Sequence, residues 1–170
     1  MSHVQRDDRP ADKALRYEEI AAEIAAVLEG EPNPIARMAT VASMLHDAMP
    51  TYFWTGFYLV DNPREVSGGK PGELVVGPYQ GTLGCLRIRI GQGVCGTAAA
   101  ERRTVIVEDV NAFDGHIACD SRSNSEIVLP VENALGELIG VFDVDSTSFA
   151  AFDAVDAEWL ERILRESFAK

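Results

Sequence analysis

The chain has 170 residues, 46% of them apolar, and carries 27 acidic against 15 basic side chains for a formal charge of −12. That length suits one domain with its own core, and the negative charge repels phosphate backbones and anionic lipid, so neither nucleic acid nor a membrane is expected as a partner. No apolar run reaches the roughly 18 residues of a membrane span, and the opening MSHVQRDDRPADK lacks the apolar core of a secretory signal, which points to the cytoplasm.

In chain order, residues 1–12 read as an N-terminal arm and 13–170 as a single domain. Tyr17, Ile20, Ala21, Ile24 and Leu28 recur at helical spacing before Gly30, predicting an amphipathic helix over ALRYEEIAAEIAAVLEG. A second helix follows, with Asn33 as N-cap, Pro34 in the first turn and an apolar stripe of Ile35, Met38, Val41 and Leu45. The runs YFWTGFYLV, ELVVGPYQG, LRIRI, TVIVEDV, EIVLPVEN and ELIGVFDVD then read as strands. A Gly- and Pro-rich segment, Asp61 to Glu73, makes a long hairpin loop between the first two. A short helix is expected at CGTAAAERR, and a closing one at AVDAEWLERILRESF, capped by Asp153 with Val155, Trp159, Ile163 and Leu164 along one side. Short connections between strands predict an α+β fold, a mainly antiparallel sheet of about six strands with helices packed on it.

Within this frame GQGVCG, residues Gly91 to Gly96, satisfies the G-x-G-x-x-G spacing of a dinucleotide loop. The dimensions fail, because a dinucleotide-binding unit places its ribose-binding acid about 20 residues beyond the glycines and Glu108 comes too early. Gly91 and Gly93 instead permit a tight turn with positive φ, and Gly96 permits close packing of a helix start. Cys95 then falls in a first helical turn, where unpaired N–H groups favour a thiolate.

Three cysteines in a chain without an export signal leave metal ligation, redox chemistry or plain burial. Cys85 stands at the mouth of a strand, Cys95 opens the short helix, and Cys119 lies in DVNAFDGHIACDSRSNSE, a long polar segment of the kind that carries function. His116 and Cys119 form an H-x-x-C pair, but no C-x-x-C partner accompanies it, so no metal site is expected. On local electrostatics Cys95 is the better nucleophile, since Asp120 beside Cys119 raises a thiol pKa unless Arg122 offsets it. The residues support a redox trio without ordering its members.

In GVFDVDS, Asp143 and Asp145 are two apart and share a strand face with Ile139 and Val141, while Phe142 and Val144 point the other way. Glu126 joins them if its strand pairs with theirs. Such a patch reads either as a solvated strand end or as a socket for an ammonium group. Trp54 is either a core tryptophan or an aromatic wall for a methyl or cationic group.

GQGVCGTAA, EDVNAFDGHIACDSRSNSEIVLPV and LIGVFDVDS closely resemble the free methionine-R-sulfoxide reductases of the GAF-domain superfamily, over a stretch from about Trp54 to Ser146 that holds all three cysteines. The resemblance implies a GAF-like fold, usually homodimeric, with no bound cofactor, that reduces the R epimer of free methionine sulfoxide using thioredoxin as electron donor. Carried over by motif, Cys119 is the catalytic thiol, Cys85 and Cys95 are the resolving pair, Glu126, Asp143 and Asp145 hold the substrate, and Trp54 faces its methyl. The alternative is a non-enzymatic GAF sensor that binds a small metabolite or reports oxidant through its cysteines.

Overall fold

The computed structural model describes residues 13–61 and 72–170; the expected arm at 1–12 and the body of the hairpin loop, 62–71, lie outside them. Two helices, α1 (Lys13–Val27) and α2 (Pro34–Ala48), precede β1 (Trp54–Val60), β2 (Glu73–Gln80) and β3 (Arg87–Arg89). Then come α3 (Gly93–Glu101), β4 (Val105–Val107), β5 (Ser125–Glu132), β6 (Leu138–Ser146) and α4 (Ala154–Phe168). The strands form one sheet in the order β3-β2-β1-β6-β5-β4, and every neighbouring pair is antiparallel. The α+β expectation holds, with six strands.

Strand periodicity divides the side chains between two faces. Phe57, Ile127, Leu129, Phe142 and Val144 point toward α1, α2 and α4 and form the larger core with Tyr17, Ile24, Val41, Leu45, Leu160 and Ile163. Trp54, Tyr58, Val128 and Val141 point to the opposite face, where Val94, Cys95, Ala98 and Ala99 of α3 cover them. Because β3 and β4 are the two edges of the sheet, the β3-α3-β4 connection spans this second face and closes a space above the middle strands.

The caps act as expected: Asn33 accepts from the backbone N–H groups of Ile35 and Ala36, and Asp153 and Asp156 form a capping box at the start of α4. Asp156 also accepts from Tyr17 at 2.7 Å and pairs with Lys13 at 2.7 Å, tying α1 to α4. Two expectations change. Ile35 lies outside the stripe, 49% exposed, whereas Met38, Val41 and Leu45 are buried. Ile139 does not share the face of Asp143: Val131 pairs with Gly140 but Glu132 pairs with Leu138, so β6 carries one extra residue. That bulge turns Ile139 toward the larger core, leaving Leu138 and Val141 on the other side.

Helix α3 begins two residues earlier than the sequence pattern suggests. Gly91 and Gly93 have φ of 91° and 62°, so the chain turns sharply into the helix there. A Cβ at Gly96 would run into the carbonyl oxygen of Arg89, which shows how closely the helix start packs on the end of β3. Gly96→Ala is therefore expected to destabilise the protein by about 1–3 kcal/mol, the usual cost of overpacking, with urea unfolding as the check; an unchanged midpoint would contradict this packing.

Candidate active site

Four strand positions form the floor of a cleft. Asp145 of β6 stands opposite both Trp54 of β1 and Glu126 of β5, and Asp143 stands opposite Gly56 and Val128. Being in register on one face, Trp54, Glu126, Asp143 and Asp145 converge, as does Tyr58 two positions along from Gly56. The walls come from three segments: the start of α3, which brings Cys95; Leu83 and Gly84 before β3; and the polar segment 108–124, which brings His116, Ile117, Cys119, Asp120 and Ser123.

The wall segments are tied to the floor and to each other. Trp54 donates its indole N–H to the Thr82 carbonyl at 2.9 Å and stacks on Tyr58 and Tyr79 with centroids 5.6 and 5.1 Å apart. Gly84 lies flat on this stack, where a Cβ would meet Trp54 at 2.9 Å. The Thr82 hydroxyl donates to Asp120 at 2.7 Å, and Ile117 packs on Gly93. Cys85 and Cys119 are joined in a disulfide with Cα atoms 5.5 Å apart, crossing between the two segments. Cys119 is exposed and Cys85 half-buried, whereas Cys95 is free and buried.

Burial dominates the electrostatics. Glu126 and Asp143 are 6% and 5% exposed. Desolvation, reinforced by Asp145 at Glu126 and by Glu126 at Asp143, pushes both carboxyls well above the usual range. Asp145 moves up for the same reason, with Asp143 as its charged neighbour. Among the described residues lining the cleft, His116 is the sole basic one; its Nε2 is 3.6 Å from Glu126, and burial lowers its pKa toward the neutral form. One oxygen of Asp143, Oδ1, is buried with no hydrogen-bond partner. A buried, unpaired carboxylate oxygen costs free energy that a bound cation or donor would recover.

The thiolate expected at Cys95 is not favoured by its surroundings. Cys95 does occupy the first turn of α3, but desolvation and the charges of Asp143, Glu126 and Asp145 push its thiol well above the ordinary value, outweighing the helix start. Its Sγ lies 4.0 Å from Glu126 Oε1. Beside Cys119, Asp120 is ionised and lies well below the usual carboxylate range, its charge offset by Arg122 through contacts of 2.7 and 3.0 Å. The acids, Trp54 and the three cysteines thus meet in one place. Tyr58, Ser123 and Thr82 belong to the site without having been singled out; alternation along β1 places Tyr58 beside Trp54, but no local pattern marks the other two.

Residues 38–166 match the model of the GAF domain. The chain is 46% identical over 153 residues to GAF domain-containing protein A of Dictyostelium discoideum, covering 90% of each chain. It is 39% identical over 155 residues to the free methionine-R-sulfoxide reductase of Escherichia coli, covering 91% of this chain and 88% of that protein. The chain belongs to the GAF-domain family, among the free methionine-R-sulfoxide reductases. The solved Neisseria meningitidis free methionine-R-sulfoxide reductase, in complex with its substrate, superposes with a TM-score of 0.84 at 44% identity, covering 93% of this chain and 89% of that one. In this GAF domain the cleft lies between the sheet and the segment that carries Cys119, and among the described residues no helix is long and apolar enough to cross a membrane.

The raised carboxyl pKa values set a pH dependence. The folded state holds protons that the unfolded chain releases above about pH 4, so this stabilising contribution is complete below that pH and is lost as pH rises through the raised values. Asp143→Asn removes one such group. Its stability relative to the parent is expected to improve by at least about 1 kcal/mol between pH 4 and pH 8, measured by urea unfolding at both; a difference that does not change with pH would contradict the assignment.

Proposed function

We propose that the protein reduces the R epimer of free methionine sulfoxide to methionine, with Cys119 as the attacking thiol and Cys85 as its resolving partner. One observation carries the reading: an accessible Cys85–Cys119 disulfide stands over a cleft whose floor is a cluster of buried acids with an unpartnered Asp143 oxygen. The relatives named for this activity support it.

The α-ammonium of a free amino acid supplies the cation that Glu126, Asp143 and Asp145 lack, and Trp54 with Tyr58 offers an aromatic wall for the methyl group. A methionine sulfoxide within a peptide has an amide in place of that ammonium and would leave the acids buried and unpaired, at a cost of several kcal/mol. Because the three acids are coupled, an ammonium draws one carboxyl into its ionised form while another keeps its proton. The Cys119 thiolate takes the oxygen from the substrate sulfur; the S–O bond of the substrate breaks and the retained proton moves to the transferred oxygen. Methionine is the reduced product, and Cys119 carries the oxidation as a sulfenic acid.

The Cys85 thiol then condenses with that sulfenic acid, forming the S–S bond and releasing water, which yields the bridged state of this structure. Thioredoxin, a dithiol that brings two electrons, attacks the bridge and returns both cysteines to thiols. The exposure of Cys119 supports access by such a donor. No bound cofactor is needed by this sequence of steps. Reduced thiols of this kind suit the cytoplasm, and the homodimer implied by the family resemblance belongs to the same reading.

With reduced protein and no external reductant, Cys119→Ser is expected to form no methionine from free methionine-(R)-sulfoxide. Cys85→Ser should form up to one equivalent and then stop, even with thioredoxin, its reductase and NADPH present. Chromatographic quantification of methionine reads both. Parent-like single turnover in Cys119→Ser would overturn the assignment.

A further inference from the structure

The two-cysteine reaction leaves one thiol unused, and that thiol sits among acids. Cys95 Sγ, one oxygen of Glu126 and one of Asp143 all lie within 4.8 Å of one another, the only such group of possible metal ligands among the described residues. All three side chains are buried, at 3%, 6% and 5% exposure. They stand on regular structure, the first turn of α3 and the paired strands β5 and β6, so their spacing is fixed by the fold. One of the Asp143 oxygens, Oδ1, is buried without a hydrogen-bond partner.

We infer that this trio is a binding site for a borderline divalent transition-metal ion such as Zn²⁺. The thiolate selects against Mg²⁺ and Ca²⁺, which take all-oxygen shells, and two carboxylates complete a three-ligand set with a fourth, open position for water. Around tetrahedral zinc, with Zn–S of about 2.3 Å and Zn–O of about 2.1 Å, sulfur and oxygen ligands stand about 3.6 Å apart. The Cys95 Sγ to Glu126 Oε1 separation is already 4.0 Å, so small side-chain rotations suffice. On binding, Cys95 gives up its thiol proton to solvent and its sulfur bonds the metal; nothing is oxidised or reduced. The ion would use Glu126 and Asp143, the same carboxylates assigned above to the substrate ammonium, so metal and amino acid exclude one another. The site itself rests on the donor set and the buried, unpartnered Asp143 oxygen, and does not depend on that assignment.

The test uses the full chain in its disulfide form, where Cys85 and Cys119 are blocked and Cys95 is the free cysteine. Titration with Co²⁺ is expected to saturate at one equivalent with a thiolate-to-cobalt absorption band in the near ultraviolet, which added Zn²⁺ bleaches. Cys95→Ser should abolish the band, and Asp143→Asn should weaken cobalt binding by at least about 10-fold. Absence of the band in the parent, its persistence in Cys95→Ser, or unchanged affinity in Asp143→Asn would overturn the site.

Discussion

Three carboxylates packed into one cleft without a fixed cation constitute the constraint on which the rest of this molecule turns. Charges in that position repel one another and have lost their water, so the free protein holds them protonated or incompletely paired. A structural role would be served better by apolar side chains of similar volume. In the proposed function the missing partner arrives with the ligand, and the Asp143 oxygen without a hydrogen-bond partner is consistent with that.

The fold holds the acids in this arrangement by register. Asp145 opposite Glu126 and Trp54 follows from the antiparallel pairing of β6 with β5 and β1, and the larger core locks that pairing because a one-residue slip would turn Phe142 and Val144 out of it. The bulge at Ile139 confines its irregularity to the far end of β6. On the other side, the disulfide, the Thr82–Asp120 hydrogen bond and the Ile117–Gly93 contact bring the cysteine-bearing segments over the acids. The bridged cysteines and the acids therefore come from different parts of the chain: Cys85 and Cys119 stand on connections, and Glu126, Asp143 and Asp145 stand on paired strands.

Much of this was legible in the sequence because it depends on short periods. Alternation placed Asp143 and Asp145 together and Phe142 and Val144 opposite, and helical spacing with Asn33 and Asp153 as caps located α2 and α4. What escaped was non-local. The bulge that reverses Ile139 depends on the partner strand, the low pKa of Asp120 depends on Arg122 and Thr82, and the raised pKa of Cys95 depends on burial against the sheet and on acids 30 to 50 residues away in the chain. A helix start seen alone predicts a reactive thiol; the sheet beneath it decides otherwise. The bond between Cys85 and Cys119 was likewise not legible locally, since 34 residues separate them and the fold brings their Cα atoms to 5.5 Å.

The central claim is that buried acids recognise the α-ammonium. Calorimetric titration of Cys119→Ser with free L-methionine sulfoxide and with its N-acetyl derivative tests it most directly, since the two ligands share the sulfoxide and side chain and differ in that group. The account predicts that acetylation weakens binding by about 100-fold or more, and that Asp143→Asn in the same background removes most of the difference. Equal affinity for the two ligands would contradict it.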